Sequence, residues 1–248
     1  MICAMKFSSP LLRATLIRRY KRFLADVEMP DGEVLTVHCA NPGAMLGLNM
    51  PGMEVWLSDS NNPTRLRQGA TPRRERKLRY SWELARIGAG LVGINTAHPN
   101  RIAEEAILAG RIPELAGYAG LRREVRVGGN SRIDLLLEDE GRGLCYVEVK
   151  NVHLARQSGL AEFPDSVTAR GARHLNEMAK LVAQGHRAVM LFIVQREDCS
   201  RFSVAGDIDP AYARALDNAR RQGVEAICYD CRLSTEEIIL NQSLPILR

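Results

Sequence analysis

A chain of 248 residues, 46% hydrophobic and 25% charged, has room for one large or two modest domains and enough apolar residues to fill cores. It holds no run of about 18 apolar residues of the kind that crosses a bilayer. Lys6 and Arg13 also interrupt the N-terminus before the apolar segment of a signal peptide forms, so a cytoplasmic protein with no membrane role is expected. The formal charge of +5 is unevenly spread. Residues 1–97 carry 14 Lys/Arg against 8 Asp/Glu, a net of +6, and residues 98–248 carry 20 against 21, a net of −1. A basic first half on a neutral second half suits a domain that grips a polyanion. The excess is densest where Arg65, Arg67, Arg73, Arg74, Arg76, Lys77 and Arg79 face only Glu75, and these seven are the candidate nucleic-acid contacts.

In chain order, "LLRATLIRRYKRFL" admits a basic amphipathic helix or a strand, and the alternation that follows favours the strand. Phe23, Ala25 and Val27 alternate with Leu24, Asp26 and Glu28, Asp31-Gly32 supplies a hairpin turn, and Leu35, Val37 and Cys39 then share a face. "MEVWLSD" and "LRYSWELARI" are further strands on either side of the basic loop. Short strands with Gly and Pro turns predict a small barrel, and a barrel with a basic loop is compatible with an OB-fold, whose face and loops bind nucleic acids, although small barrels do many jobs.

After "GINTAHPN" the pattern changes. Asn100 is placed to cap a helix over "RIAEEAILAG", with Ile102, Ala106 and Ile107 on one face. "LRREVRV", "RIDLLLED" and "LCYVEVKNVHL", separated by Gly-rich turns, predict an antiparallel meander. A helix is expected from about Ser166 to Gln184, with Asp165 and Ser166 as caps, and the apolar run "RAVMLFIVQ" then suits a strand buried on both faces. A last helix starts at Asp209-Pro210 and stops at Gly223, before the strands "VEAICYD" and "TEEIILN". The six cysteines read as reduced residues. Cys228 and Cys231 form a C-x-x-C, but structural zinc wants four ligands and no second pair completes the set.

The order helix, meander, helix, strand puts Asp134 on the central meander strand, with Glu148 and Lys150 two apart on the next strand and on one face. Two carboxylates on adjacent strands can converge on Mg²⁺ or Mn²⁺, and the Val149 carbonyl between them can add a neutral ligand. Lys150 can position water or offset charge at a phosphate. Charged residues inside apolar runs such as "RIDLLL" and "YVEVKNV" are seldom there for solubility. The expectation is a metal-dependent nuclease with Asp134, Glu148 and Lys150 as catalytic residues.

These residues resemble the PD-(D/E)xK nuclease superfamily, whose core has the same order of elements. "HCANPGAM", "RYSWEL", "VGINTAHPN", "RIDLLL", "YVEVKNV" and "FPDSVTARGARHLNEM", spread over residues 38–178, together resemble the sugar fermentation stimulation protein family. Ala40 and Pro42 depart from its more usual Pro and Thr. The resemblance implies an α+β chain: an N-terminal OB-like barrel over 1–97 and a C-terminal PD-(D/E)xK restriction-endonuclease-like domain over 98–248. It also implies non-specific DNA binding and a regulatory part in sugar (maltose) use. Glu105 stands where many such nucleases carry an extra metal-binding acid. Arg170 and His174, four apart on one helical face, could hold a phosphate. Asn41 and Gly43, with Asn95 and Asn100, are candidate contacts between barrel and site. The alternative is a non-catalytic DNA-binding regulator with a helix-turn-helix within residues 221–240. An intact Asp134, Glu148 and Lys150 set favours chemistry.

If the Arg65–Arg79 segment tracks phosphates, affinity for duplex DNA falls with salt by about 0.9 log units per contact per log unit of salt. Replacing Arg73, Arg74 and Arg76 with Ala should flatten that slope and weaken all sequences alike. Unchanged affinity in a salt titration of the triple variant would place the grip elsewhere.

Overall fold

Alternating side chains build the first half of the chain, and the computed structural model describes residues 4–61, 77–128 and 131–247. The short β1 (Met5–Lys6) is followed by β2 (Leu12–Tyr20), β3 (Leu24–Glu28), β4 (Val34–Cys39), β5 (Glu54–Asp59), β6 (Tyr80–Ile87) and β7 (Gly90–Gly93). The ambiguous basic segment is therefore a strand: Ala14 and Leu16 point inward while Arg13 and Arg18 point out. Strands β2 to β7 form one sheet in the order β4-β3-β2-β5-β6-β7. A parallel pairing of β4 with β6, His38 opposite Ser81 and Cys39 opposite Trp82, closes five of them into a barrel. Leu16, Val27, Val37, Val55, Leu57 and Trp82 fill it.

The second half comprises α1 (Pro99–Leu108), a 3-10 turn (Pro113–Leu115), β8 (Gly120–Val127), β9 (Ser131–Asp139), β10 (Gly143–Val152), β11 (Leu154–Gln157), β12 (Gly159–Phe163) and α2 (Ala169–Ala183). It continues with β13 (Arg187–Val194), β14 (Cys199–Val204), α3 (Pro210–Arg221), β15 (Glu225–Leu233) and β16 (Glu237–Ser243). The main sheet runs β1-β16-β15-β13-β10-β9-β8, so β1 belongs to this unit and a division at residue 97 separates it from its sheet. Strands β8, β9 and β10 form the expected meander, and β13 lies parallel to β10. On β13, Val189, Leu191 and Ile193 pack under α1, while Met190, Phe192 and Val194 pack under α2 and α3. A smaller sheet, β11-β12-β14, was not visible in the sequence pattern.

Three local expectations change. Asn100 does not cap α1: the helix begins at Pro99, and no side chain caps the His98 position. Thr168 caps α2 through its Oγ1, which accepts the Gly171 N–H at 3.1 Å, in place of Asp165 or Ser166. Residues 221–240 hold the end of α3 followed by β15 and the start of β16, which is not a helix-turn-helix. Among the described residues no helix is long and apolar enough to cross a membrane.

Cys228 and Cys231 lie three apart on β15, and the strand period of two sends them to opposite faces. Cys228 packs in the core beneath α2 and α3, Cys231 in the core on the α1 side. They cannot share one zinc ion. Cys228→Ser and Cys231→Ser should each lower stability by about 1–3 kcal/mol by burying a hydroxyl, read as a shift in denaturation midpoint. Stoichiometric zinc released on unfolding wild type but absent from these variants would contradict this placement.

Candidate active site

The β9–β10 ladder runs from Gly143 opposite Asp139 to Val147 opposite Leu135, and stops there. Beyond that point β9 stays with β8 and β10 stays with β13, so the two strands part. The Asp134 carboxylate enters the gap. Its Oδ2 accepts the Val149 N–H at 2.8 Å, replacing the lost ladder bond, and its Oδ1 accepts from Asn100 Nδ2 at 2.8 Å. This is the work Asn100 does in place of capping.

Glu148 and Lys150 point to the α2 face of β10, and Lys150 Nζ donates to Glu148 Oε1 at 2.6 Å. From α2, His174 Nδ1 reaches the same oxygen at 2.5 Å. Arg170 Nε donates to His174 Nε2 at 3.3 Å, so Nε2 is the acceptor and Nδ1 carries the proton given to Glu148. Glu148 is 2% exposed, and its other oxygen, Oε2, is buried with no hydrogen-bond partner among the described residues. Burial raises the Asp134 carboxyl above the usual carboxylate range, and repulsion from Glu148 adds to it against the Val149, Lys150 and Asn100 contacts. Burial also opposes ionisation of Glu148, but the His174 hydrogen bond and the Lys150 charge outweigh it and hold that carboxyl below the usual range. Two neighbouring acids are thereby pushed apart.

These groups floor a cleft of about 500 Å³ whose lining also includes Val149, Asn151, His153, Asp165, Thr168 and Arg170. Arg22, Asn41, Pro42, Gly43 and Thr96 line it from the barrel unit. The loop from Asn41 to Gly43 is pinned from both sides. Asn41 Nδ2 donates to the Ile94 carbonyl at 2.9 Å, and an Arg19 guanidinium nitrogen donates to the Asn41 and Gly43 carbonyls at 2.8 and 2.9 Å. Across the cleft, Met45 N–H donates to Asp165 Oδ2 at 3.0 Å, and His153 Nε2 meets the same oxygen at 3.2 Å. Asp165 is thus a joint between the two units, which is why it does not cap α2. His153 Nδ1 accepts from Asn151 Nδ2 at 3.1 Å, and Asn151 Oδ1 accepts from Gln195 at 2.6 Å. Behind the cleft, buried Glu83 of β6 takes hydrogen bonds from Ser58 at 2.5 Å, Asn95 at 2.7 Å and His98 at 2.7 Å. That cluster fixes the start of α1, and with it Asn100.

The residues expected from sequence fall into three groups. Asp134, Glu148, Val149 and Lys150 converge; Asn41 and Arg170 line the cleft, with His174 beneath. Glu105 does not line it: its Oε1 pairs with Arg101 at 2.7 Å, four residues back on α1. Arg79 is paired with Asp59 at 2.7 Å, while Lys77 is exposed. Arg65, Arg67, Arg73, Arg74 and Arg76 lie outside the described residues. Sequence reasoning missed Arg22, Asn151, His153 and Gln195, and it mistook the role of Asp165. Asn151 and His153 continue the Glu148-x-Lys150 segment directly, which was the available signal.

Two family models match the chain, one described as the SfsA N-terminal OB domain over residues 17–94 and one as the sugar fermentation stimulation protein RE domain over residues 97–237. Sugar fermentation stimulation protein homologs from Paramagnetospirillum magneticum and Rhodospirillum centenum are 58% and 59% identical over 240 residues. Those 240 residues are 97% of this chain and 97% and 98% of theirs. A solved structure titled as Pyrococcus furiosus SfsA in complex with Ca2+ superposes with a TM-score of 0.84 at 28% identity, covering 100% of both chains.

A Cβ on Gly43 would overlap both carboxylate oxygens of Asp165. Gly43→Ala should therefore cost about 1–3 kcal/mol, measured by chemical denaturation. A variant as stable as wild type would show that this joint is not a close contact.

Proposed function

We propose that this chain, which belongs to the sugar fermentation stimulation protein family, hydrolyses nucleic-acid phosphodiesters with a divalent cation, Mg²⁺ or Mn²⁺, held at Asp134 and Glu148. The observation that carries this reading is the buried Oε2 of Glu148, without a hydrogen-bond partner among the described residues, beside the half-buried carboxylate of Asp134. A buried carboxylate oxygen without a donor is costly, and a hard cation is the partner that two carboxylates suit. Among the described residues no three His, Cys, Asp or Glu side chains converge to hold a metal. Two acids fit Mg²⁺, which keeps several of its waters. The Val149 N–H faces Asp134, and a strand residue sends its carbonyl to the same side, so that carbonyl is the neutral third ligand in this reading. A relative solved with Ca2+ supports a site of oxygen ligands in the family.

A bound divalent ion would neutralise charge on the phosphate and make its own water more acidic. The protein's groups have separate tasks. Asn100 and the Val149 N–H orient Asp134, while His174 and Lys150 hold one oxygen of Glu148 and leave the other, Oε2, without a donor among the described residues. Lys150, with three donors, can keep Glu148 and still give an N–H to a phosphate oxygen or to the attacking water. Arg170, at the wall of the cleft, is placed to meet a neighbouring phosphate. The closed barrel and the basic Arg65–Arg79 segment supply non-specific grip on DNA or RNA in this reading.

Asp134→Asn and Glu148→Gln should each abolish Mn²⁺ binding measured by calorimetry and abolish cleavage of labelled DNA. Lys150→Ala should still bind the ion while turnover falls by about 10²–10³-fold. All three should retain DNA binding. Wild-type protein that cuts no form of DNA or RNA with either metal would overturn the enzyme reading and leave a DNA-binding protein.

A further inference from the structure

Three residues, Lys21, Arg22 and Phe23, join β2 to β3, and their backbone is held where side chains fit poorly. Lys21 and Arg22 have φ of 49° and 63°, the left-handed region that residues with a Cβ adopt rarely and at a penalty. Two other hairpins of the barrel put glycine at such points, Gly32 between β3 and β4 and Gly88 between β6 and β7. Here two cations stand where glycine would be easier. Arg19 holds the turn in place, donating to the Arg22 carbonyl at 2.9 Å with the guanidinium nitrogen that also grips Asn41 and Gly43. Strain kept in this way clusters at functional sites.

What the turn presents is specific. Arg22 lines the cleft that holds Asp134 and Glu148. Phe23, 45% exposed, lies nearly parallel to His38 of β4, with ring centroids 6.5 Å apart and planes 20° apart. Lys21 is exposed beside them. Flat rings interleaved with cations match a nucleic acid whose bases are free to stack, because every base has a π face and every linkage a phosphate. A duplex keeps its base faces inside its own stack and offers such rings nothing.

We infer that the Lys21–Phe23 turn, with His38, is a binding site for single-stranded nucleic acid. A base stacks on Phe23 and His38, and Arg22 takes the adjoining phosphate at the wall of the cleft. This deepens the nuclease reading by naming the substrate as single-stranded, and it rests on that reading only for where the nucleic acid leads.

The test is fluorescence anisotropy on the full chain in EDTA, where nothing is cut, with labelled oligothymidylate, oligouridylate and a blunt DNA duplex. Wild type should bind both single strands more tightly than the duplex. Phe23→Ala should weaken single-strand binding by roughly tenfold and leave duplex binding unchanged, while Phe23→Trp keeps the affinity. Arg22→Gly should also weaken single-strand binding yet raise the thermal midpoint, because glycine accepts the left-handed turn. A residue needed only for the fold would not lose binding while gaining stability. Unchanged single-strand affinity in both Phe23→Ala and Arg22→Gly, or equal losses on single strand and duplex, would overturn the inference. A parallel cleavage assay in Mn²⁺ separates the two readings. Tight, Phe23-dependent binding without cleavage supports this site and overturns the nuclease. Cleavage and binding that ignore both substitutions overturn this site and leave the nuclease standing.

Discussion

A half-buried carboxylate, Asp134, at the point where two strands part is the constraint on which the cleft depends. When β9 leaves β10, the Val149 N–H loses its ladder partner, and a buried orphan donor is rarely tolerated. Asp134 supplies the acceptor from its own side chain, which places one charge at the sheet's opening. Glu148, the preceding residue on β10, is almost fully buried next to it. Two such charges need compensation, and the protein provides it for three of the four oxygens. Lys150 and His174 share one, and Asn100 and Val149 take one each. The fourth, Glu148 Oε2, has no hydrogen-bond partner among the described residues.

The two units make this site jointly. Glu83, deep between barrel and helix, grips His98 at the start of α1 and so sets where Asn100 meets Asp134. Burial opposes its charge, but the hydrogen bonds from His98, Ser58 and Asn95 hold its carboxyl below the usual range. Asp165 ties the Gly43–Met45 loop to His153 on the opposite wall. Gly93 of β7 accepts the close approach of Gln195, where a Cβ would overlap the Gln195 side chain. The barrel is therefore a wall of the cleft as well as a separate fold.

Much of this was legible from period alone. Alternation identified the barrel strands, and the switch to apolar runs between Gly-rich turns located the meander with Glu148 and Lys150 on one face. The same period, applied to a strand over residues 225–233, already separates Cys228 from Cys231. What escaped were features set by contacts far apart in sequence. The pairing of β1 with β16 joins the two ends of the chain, and no local pattern announces it. In the sequence Asn100 and Asp165 look like helix caps, because Asn and Asp before a helix favour that role. Each is drawn away by a partner on a distant element: Asp134 for the first, Met45 and His153 for the second. His153 and Gln195 carry no pattern of their own and gain meaning only from the cleft they border.

The direct test of the central claim is anomalous diffraction from a crystal of the wild-type chain soaked in Mn²⁺. The account predicts one strong anomalous peak on the floor of the cleft, about 2 Å from Glu148 Oε2 and from an oxygen of Asp134. A well-diffracting crystal in which Mn²⁺ binds elsewhere, with Glu148 Oε2 still unliganded, would contradict it.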